Sequence, residues 1–161
     1  MRYFIHLGFN GSSFSGWQRQ NNTLNTIQEV VEKTLQQIFK KRVSTYGCGR
    51  TDAGVHALGQ VFHFDIPQAL RANWNLESLL YIANRILTSE IRITSITDAA
   101  KDFHARYSAL RRRYRYQLLD NARTLNPLER VATAIYHRPL DEKLMNESSA
   151  LLLGERDFAA F

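Results

Sequence analysis

The order of strand-like and helix-like segments predicts an α+β fold, with a mainly antiparallel sheet and helices packed on one face of it. Two observations support this prediction. The segments follow the order β-α-β-β-α-β and then β-β-α along the chain. Several connections between strands are too short for the crossover that parallel neighbours require, so we expect most strands to pair antiparallel.

The first half of the pattern alternates strands with amphipathic helices. Apolar residues alternate over residues 3–9, which predicts a strand with one buried face. Thr26 followed by Glu29 forms a capping box, and apolar residues recur at helical spacing from Ile27 to Ile38, so we expect a helix over residues 26–41. Further strands are expected at 42–46, 61–65 and 91–96, with a second helix at 75–87.

The second half is predicted as two strands and a helix. We expect one strand within residues 106–119, beginning near residue 112, and another at 131–137. A helix over residues 141–153 would end at Gly154. We place a boundary near residues 97–101, which divides the chain into residues 1–100 and 101–161.

Composition favours a polyanionic partner. The 161 residues carry a formal net charge of +6, and 44% of them are hydrophobic, enough for a core. Cys48 is the only cysteine, and the five histidines lack metal-ligand spacing, so we expect no disulfide and no metal site. The single cysteine fits a reducing, cytoplasmic compartment. No apolar run approaches the length of a membrane span, so we expect no membrane segment.

The stretch that carries the chemistry lies between two predicted strands and reads GCGRTDAGVHA over residues 47–57. Glycines frame Arg50 and Asp52, and glycine lets another part of the chain approach closely. An Arg-x-Asp pair could equally be a structural ion pair, worth roughly 0–1 kcal/mol when exposed. A phosphate-binding loop is excluded, because the glycine spacing is wrong and no Lys-Ser or Lys-Thr follows.

Several ordered motifs give the string a more specific meaning. RTDAGVHA at residues 50–57, with GQV at 59–61, resembles the signature of the TruA family of tRNA pseudouridine synthases. Other stretches resemble the same family in the same order. They are GSSFSGWQRQ at 11–20, DFHAR at 102–106, RRYRY at 112–116 and LGERDFAAF at 153–161. The resemblance therefore extends over the whole chain.

The resemblance implies an isomerase that converts uridine to pseudouridine in the anticodon stem-loop of tRNA, as a homodimer and without a cofactor. It implies two similar ferredoxin-like subdomains meeting at a cleft, the first carrying Asp52 at the cleft floor and the second only beginning within residues 101–161. Asp52 matches the family's catalytic carboxylate. Arg50 would keep Asp52 ionised and help occupy the space left by a flipped nucleotide. Tyr114 matches the tyrosine that packs on the target base, although Tyr116 could serve equally on pattern alone.

Arginines and tyrosines interleave over residues 106–116, a pattern that suits phosphate contacts and base stacking. We expect RNA contacts from Arg19, Arg106, Arg112, Arg113 and Arg115. A charge run is also common on a solvated face, and in a strand neighbouring arginines would point to opposite faces. Trp17, in the loop that lies near RNA in the family, could instead be a core residue at the loop base.

Members of the family continue beyond the position that matches Phe161, so we expect the chain to be a truncated or split product, or a fragment. The main alternative to a synthase is therefore a non-catalytic RNA-binding module or an inactive fragment. A metabolic enzyme that uses Asp52 as a base on a small molecule is a third class. The basic stretch argues against it.

Overall fold

A computed structural model describes residues 1–23, 25–71, 74–121 and 124–159. The chain forms two compact units, Met1–Arg112 and Arg113–Phe161. Residues 101–112 pack with the first unit. Ala105 is only 2% exposed, and its N–H donates to Nδ1 of His63 on the sheet at 3.2 Å. The proposed division of the chain at residue 100 into functional domains stays a prediction.

The first unit is an antiparallel sheet in the strand order β2-β3-β1-β4. Its elements are β1 (Arg2–Phe9), α1 (Ile27–Phe39), β2 (Thr45–Gly47), β3 (Ala57–Asp65), α2 (Gln68–Arg71), α3 (Leu76–Ile86) and β4 (Ile91–Ala99). This order is that of a ferredoxin-like split βαβ fold, with one extra short helix at α2. The predicted α+β class with a mainly antiparallel sheet is confirmed.

β1 lies at the centre of the sheet and contributes one buried face. Tyr3, Ile5 and Leu7 are fully buried, whereas the residues between them are partly exposed, as the alternation predicted. The apolar faces of α1 and α3 belong to the same core. Each fully buried aliphatic side chain there contributes roughly 1.5–3 kcal/mol of transfer free energy.

The helix starts follow the capping signals. Oγ1 of Thr26 accepts a hydrogen bond from the Glu29 N–H at 3.3 Å. Oδ1 of Asn75 likewise accepts from the Ser78 N–H at 2.6 Å. These bonds satisfy backbone donors that have no partner within the helix, so they fix where α1 and α3 begin.

Two strands are longer than the alternation predicted. β3 begins at Ala57, opposite Phe9, and β4 runs to Ala99, opposite Arg2. The central strand therefore offers backbone partners along its whole length. Strand length here is set by pairing, because each added residue satisfies otherwise unpaired backbone groups.

The second unit contains β5 (Leu118–Asp120) and β6 (Ala134–Tyr136), which pair parallel, followed by α4 (Glu142–Ser149) and a 3-10 turn at Ala150–Leu152. No described residue of this unit is buried. The intervening residues 121–133 are long enough for a parallel crossover. Gly154 has a φ of +88°, as a residue after a helical segment often does.

The prediction of a strand that begins near residue 112 is wrong. Residues 111–117 adopt no regular secondary structure and are exposed, and the strand starts only at Leu118. Arginine and tyrosine fill both alternating faces of this segment, so neither face would bury aliphatic surface, and no described strand pairs with it. Arg112 and Arg113 therefore do not lie on opposite faces of a strand.

Two features are absent from the described ranges. No helix there combines the length and the apolar character needed to cross a membrane. The same residues contain no group of three or more His, Cys, Asp or Glu side chains arranged to hold a metal ion.

Candidate active site

The segment that joins β2 to β3, residues 48–56, carries Arg50 and Asp52; we call it the Asp52 loop. Its first residues are held by β3. The Cys48 N–H donates to the carbonyl oxygen of Val61 at 2.8 Å, and Nε2 of Gln60 donates to the carbonyl oxygen of Gly49, also at 2.8 Å. Gln60 is 94% buried, so its side chain has little freedom to move. Its hydrogen bond to Gly49 therefore fixes the start of the Asp52 loop.

The rest of the Asp52 loop is bonded to residues 11–17, which we call the glycine loop. Trp17 N–H donates to the carbonyl oxygen of Thr51 at 3.0 Å. Gly54 N–H donates to the carbonyl oxygen of Phe14 at 3.2 Å, and Gly11 N–H to Nδ1 of His56 at 3.2 Å. These bonds involve main-chain groups on at least one side, so they hold the backbone of the loop itself.

The two loops approach too closely for larger residues at two positions of the glycine loop. A Cβ at Gly11 would lie 1.9 Å from the carbonyl oxygen of Val55. Gly16 has a φ of +89°, and a Cβ there would lie 2.5 Å from the carbonyl oxygen of Thr51. Glycine is required at both positions for steric reasons.

Trp17 occupies the base of the glycine loop. It is 2% exposed, and its ring lies 6.2 Å from that of Phe9 and 5.9 Å from that of Phe62, between ring centroids. The core position, one of the two roles left open from the sequence, is therefore the one found. Trp17 anchors the glycine loop, and through it the Asp52 loop, to the core.

The functional side chains of the Asp52 loop are exposed. Arg50 and Asp52 are both accessible, whereas Oγ1 of Thr51 between them is buried. Among the described residues, neither Arg50 nor Asp52 forms a side-chain hydrogen bond or an ion pair, including with each other. A structural Arg50–Asp52 ion pair is therefore not what holds this loop, and the carboxylate is accessible to a ligand.

A family model described as tRNA pseudouridine synthase matches residues 7–108, a range that includes both loops and all of the sheet except its first residues. The chain belongs to this family. The family resemblance carried by the sequence motifs is confirmed.

Curated relatives in the family align along the whole chain. tRNA pseudouridine synthase A of Streptomyces avermitilis is 40% identical over 164 residues, which cover 100% of this chain and 57% of the relative. The proteins of that name from Ehrlichia ruminantium strain Gardel and Streptococcus pyogenes serotype M49 are 37% and 40% identical. They too are matched over 100% of this chain, which covers 64% and 63% of their lengths. The chain thus spans less than two thirds of these relatives.

The arginines expected to bind RNA have different surroundings. Nη1 of Arg19 lies 2.9 Å from Oε2 of Glu32, and its Nε lies 4.0 Å from Glu29. Glu32 is nearly buried and also accepts from the N–H and hydroxyl of Thr45, at 2.8 and 3.1 Å. The charge of Arg19 is therefore largely engaged with the carboxylates of α1. Its RNA contact stays a prediction.

The other predicted residues lie outside the Asp52 loop. The guanidinium of Arg106 lies 5.9 Å from the ring of Tyr107, a cation–π contact. In the second unit Arg113, Tyr114 and Arg115 are exposed, and their side chains have no ion pair or hydrogen bond within the described ranges. Tyr116 is exposed too, so the choice between the two tyrosines remains open. The roles of these residues stay predictions.

Arg112 is the exception among these arginines. Its Nε and Nη2 donate to the carbonyl oxygen of Cys48 at 3.1 and 2.6 Å, and Nη2 also donates to the carbonyl oxygen of Arg106 at 3.2 Å. The sequence predicted a phosphate contact for this residue. A contact with the main chain of the Asp52 loop could not be read from the arginine run, because it joins positions 64 residues apart.

Sequence analysis also missed the role of His63. Its Nδ1 accepts from the Ala105 N–H, and its ring stacks on Tyr46 at 5.0 Å and meets His104 edge-on at 4.7 Å. Burial, together with the charge of Arg2, lowers the pKa of His63 from its usual 6.5 to about 4. The histidines were tested only for metal spacing. Side chains alternate between the two faces of a strand, so His63 lies on the other face of β3 from Phe62 and Phe64. This alternation was the signal that the sequence offered.

Arg2 holds the segment 101–103 on the same side of the sheet. It forms a bidentate pair with Asp65 at 2.9 and 2.7 Å, and its Nη1 donates to the carbonyl oxygens of Lys101 and Phe103 at 2.8 and 2.5 Å. The hydrogen bond from Arg2 lowers the pKa of Asp65, and that bond raises the pKa of Arg2. The residues that lead to Arg106 and Arg112 are thereby anchored to β1 and β3.

Proposed function

We propose that the complete protein is a tRNA pseudouridine synthase that isomerises uridine in the anticodon stem-loop of tRNA, with Asp52 as its catalytic carboxylate. The observation that carries this proposal is an exposed, unpaired carboxylate on a loop whose backbone is bonded on both sides. Membership of the family and the names of the aligned relatives favour a synthase over an RNA-binding module. The other two classes have no comparable support.

The reaction matches what one carboxylate can do. The N1–C1′ bond of uridine breaks, the base turns, and a C5–C1′ bond forms. The C5 proton leaves for solvent and N1 gains a proton. Atoms and oxidation level are conserved overall, so Asp52 suffices as nucleophile or as base.

Access to a paired uridine requires base flipping, because the reacting atoms are shielded within a stacked helix. We propose that Tyr114 packs on the flipped base and that Arg50 helps fill the space it leaves. Arg50 supports this role by being exposed two residues from Asp52 without a partner in the described part of the chain.

RNA affinity is proposed to come from exposed arginines that have no carboxylate partner among the described residues. Arg106, Arg113 and Arg115 meet this condition, whereas Arg19 is paired with Glu32. The net charge of +6 supports attraction to a polyanion.

We further propose a cytoplasmic homodimer. Sedimentation of the complete protein as a monomer at micromolar concentration would contradict the dimer.

The proposal is tested with Asp52→Asn in the complete protein, using tRNA labelled with tritium at C5 of uridine. We expect tritium release to fall by about 10³-fold or more, because the reacting group is lost. The affinity for tRNA should stay within about twofold, since it depends mainly on phosphate contacts. Glu77→Gln is the matched control, because Glu77 is an exposed carboxylate on α3 with no side-chain partner in the described ranges. Ordinary turnover by Asp52→Asn would refute the assignment.

A further inference from the structure

The side chain of Arg112 contacts two main-chain carbonyls that are far apart in sequence. Nε and Nη2 bind the Cys48 oxygen, and Nη2 also reaches the oxygen of Arg106. The first oxygen belongs to the Asp52 loop, immediately after β2. The second belongs to the segment that His63 and Arg2 hold on the sheet. One guanidinium therefore joins the loop to an anchored segment.

The contact also covers the next residue of the loop. A Cβ at Gly49 would lie 3.4 Å from Nε and 3.6 Å from Cδ of Arg112, which is ordinary van der Waals distance. The Arg112 side chain thus lies against the main chain at Gly49, one residue before Arg50. It adds to the bonds that β3 makes at Cys48 and Gly49, in the part of the Asp52 loop that the glycine loop does not reach, because the glycine loop is bonded at Thr51, Gly54 and His56.

The geometry matches the donor pattern of arginine and not a simple positive charge. Two nitrogens converge on one carbonyl oxygen while one of them is shared with a second oxygen. A planar guanidinium presents several donors in a fixed fork, whereas a lysine ammonium is a compact point charge on a flexible stem. No carboxylate lies among these partners, so the arrangement is specific for hydrogen-bond geometry.

We propose that Arg112 is a positioning residue for catalysis, which fixes the start of the Asp52 loop to the segment at Arg106. This inference rests on the proposed role of Asp52. It differs from the phosphate contact that the run of arginines predicted, because Nε and Nη2 of Arg112 donate to main-chain oxygens. Without Arg112 the Asp52 carboxylate would still be present, but the loop that carries it would be less restrained. Catalysis is sensitive to small displacements of a reacting group.

Three variants of the complete protein separate the two roles. Arg112→Gln removes the charge and the fork, whereas Arg112→Lys keeps the charge and removes the fork. Arg111→Gln is the matched control, because Arg111 is adjacent and exposed, and its side chain has no partner in the described part of the chain. The readouts are amide hydrogen exchange over residues 47–56 without tRNA, tRNA affinity at several salt concentrations, and single-turnover rate at saturating tRNA.

A positioning role predicts that Arg112→Gln and Arg112→Lys both speed exchange over residues 47–56 by about threefold to tenfold, since the forked hydrogen bonds to the Cys48 and Arg106 oxygens are lost. Both should lower the single-turnover rate at saturating tRNA by about tenfold or more, while the affinity for tRNA at the working salt concentration stays near that of the control. Arg112→Lys should retain the wild-type salt dependence of tRNA binding. Arg111→Gln should leave exchange over these residues unchanged.

The opposite pattern would overturn the proposal. If Arg112→Lys matches wild type in exchange and rate, and Arg112→Gln flattens the salt slope by roughly 0.7–0.9, then Arg112 is a phosphate contact. Unchanged exchange in both variants would also refute positioning. If the wild-type protein forms no pseudouridine, the proposed function fails, yet hydrogen exchange still decides whether Arg112 restrains the loop.

Discussion

The Asp52 loop and the segment 101–105 are both fixed on the sheet of the first unit, but by different chemistry. The Asp52 loop is held largely by main-chain groups and by two close approaches that require glycine. The segment 101–105 is held by the ionic side chain of Arg2 and by the imidazole of His63. The comparison indicates that the loop bearing the reactive carboxylate depends on shape, whereas the neighbouring segment depends on charge and protonation.

This difference has a functional consequence. The main-chain hydrogen bonds that join the Asp52 loop to Trp17 and Phe14 involve no titratable group, so these two contacts should persist over a broad pH range. The imidazole of His63 takes up a proton in the folded protein as the pH approaches 4. Arg112 bridges the two segments, so weakening one of them is expected to reach the other through this contact.

The largest effect that separates the two regions is expected from Gly11→Ala. The new Cβ would overlap the carbonyl oxygen of Val55, so the loops must separate. We expect a loss of about 3 kcal/mol in the free energy of unfolding, together with most of the activity. Gly59→Ala is the control, because no atom lies within 4 Å of its Cβ position. Urea unfolding of both variants measures the difference, and equal stability would show that the close approach is not a constraint.

A smaller loss in the free energy of unfolding is expected from acidification, through the contact between His63 and the segment 101–105. The pKa of His63 is about 4 in the folded protein and 6.5 ordinarily, so the unfolded chain binds a proton that the folded chain does not. Stability from this group is fully present above about pH 6.5 and falls as the pH drops to about 4. The contribution lost by pH 5 is about 2 kcal/mol.

The variant His63→Gln tests this assignment, since an amide oxygen can still accept from the Ala105 N–H without titrating. Urea unfolding at pH 7 and pH 5 should show a smaller pH dependence for the variant than for the wild-type protein. Protection against hydrogen exchange, relative to the intrinsic exchange rate at each pH, should fall first over residues 101–105 at pH 5. A variant with the wild-type pH dependence would assign the titration to another group, and the contrast between the two regions would lose its basis.

Local signals predicted most of the first unit. The alternation in β1 and the caps at Thr26 and Asn75 act within a few residues, so the sequence displays them directly. The motif around Asp52 was found because its residues are contiguous. The ends of β3 and β4 were missed, since pairing with the full length of β1 determines them.

The remaining features depend on contacts between distant positions. Glycine at position 11 signalled a close approach, but not that Val55 would be the neighbour. Arg112 was assigned to RNA because alternating arginine and tyrosine resembles a nucleic-acid-binding strand. In the structure that segment has no strand, and the arginine binds Cys48. Residue type indicated the charge correctly, and only tertiary structure revealed its partner.

The central claim is that a rigid frame places the Asp52 carboxylate, and Asp52→Glu tests it most directly. This substitution keeps the carboxylate and shifts it by one methylene, in a loop whose backbone cannot adjust freely. The measurement is the single-turnover rate of pseudouridine formation at saturating tRNA in the complete protein. The account predicts a fall of about 10²-fold or more, with unchanged tRNA affinity. A rate within about threefold of wild type would contradict it, because the position of the carboxylate would then be unimportant.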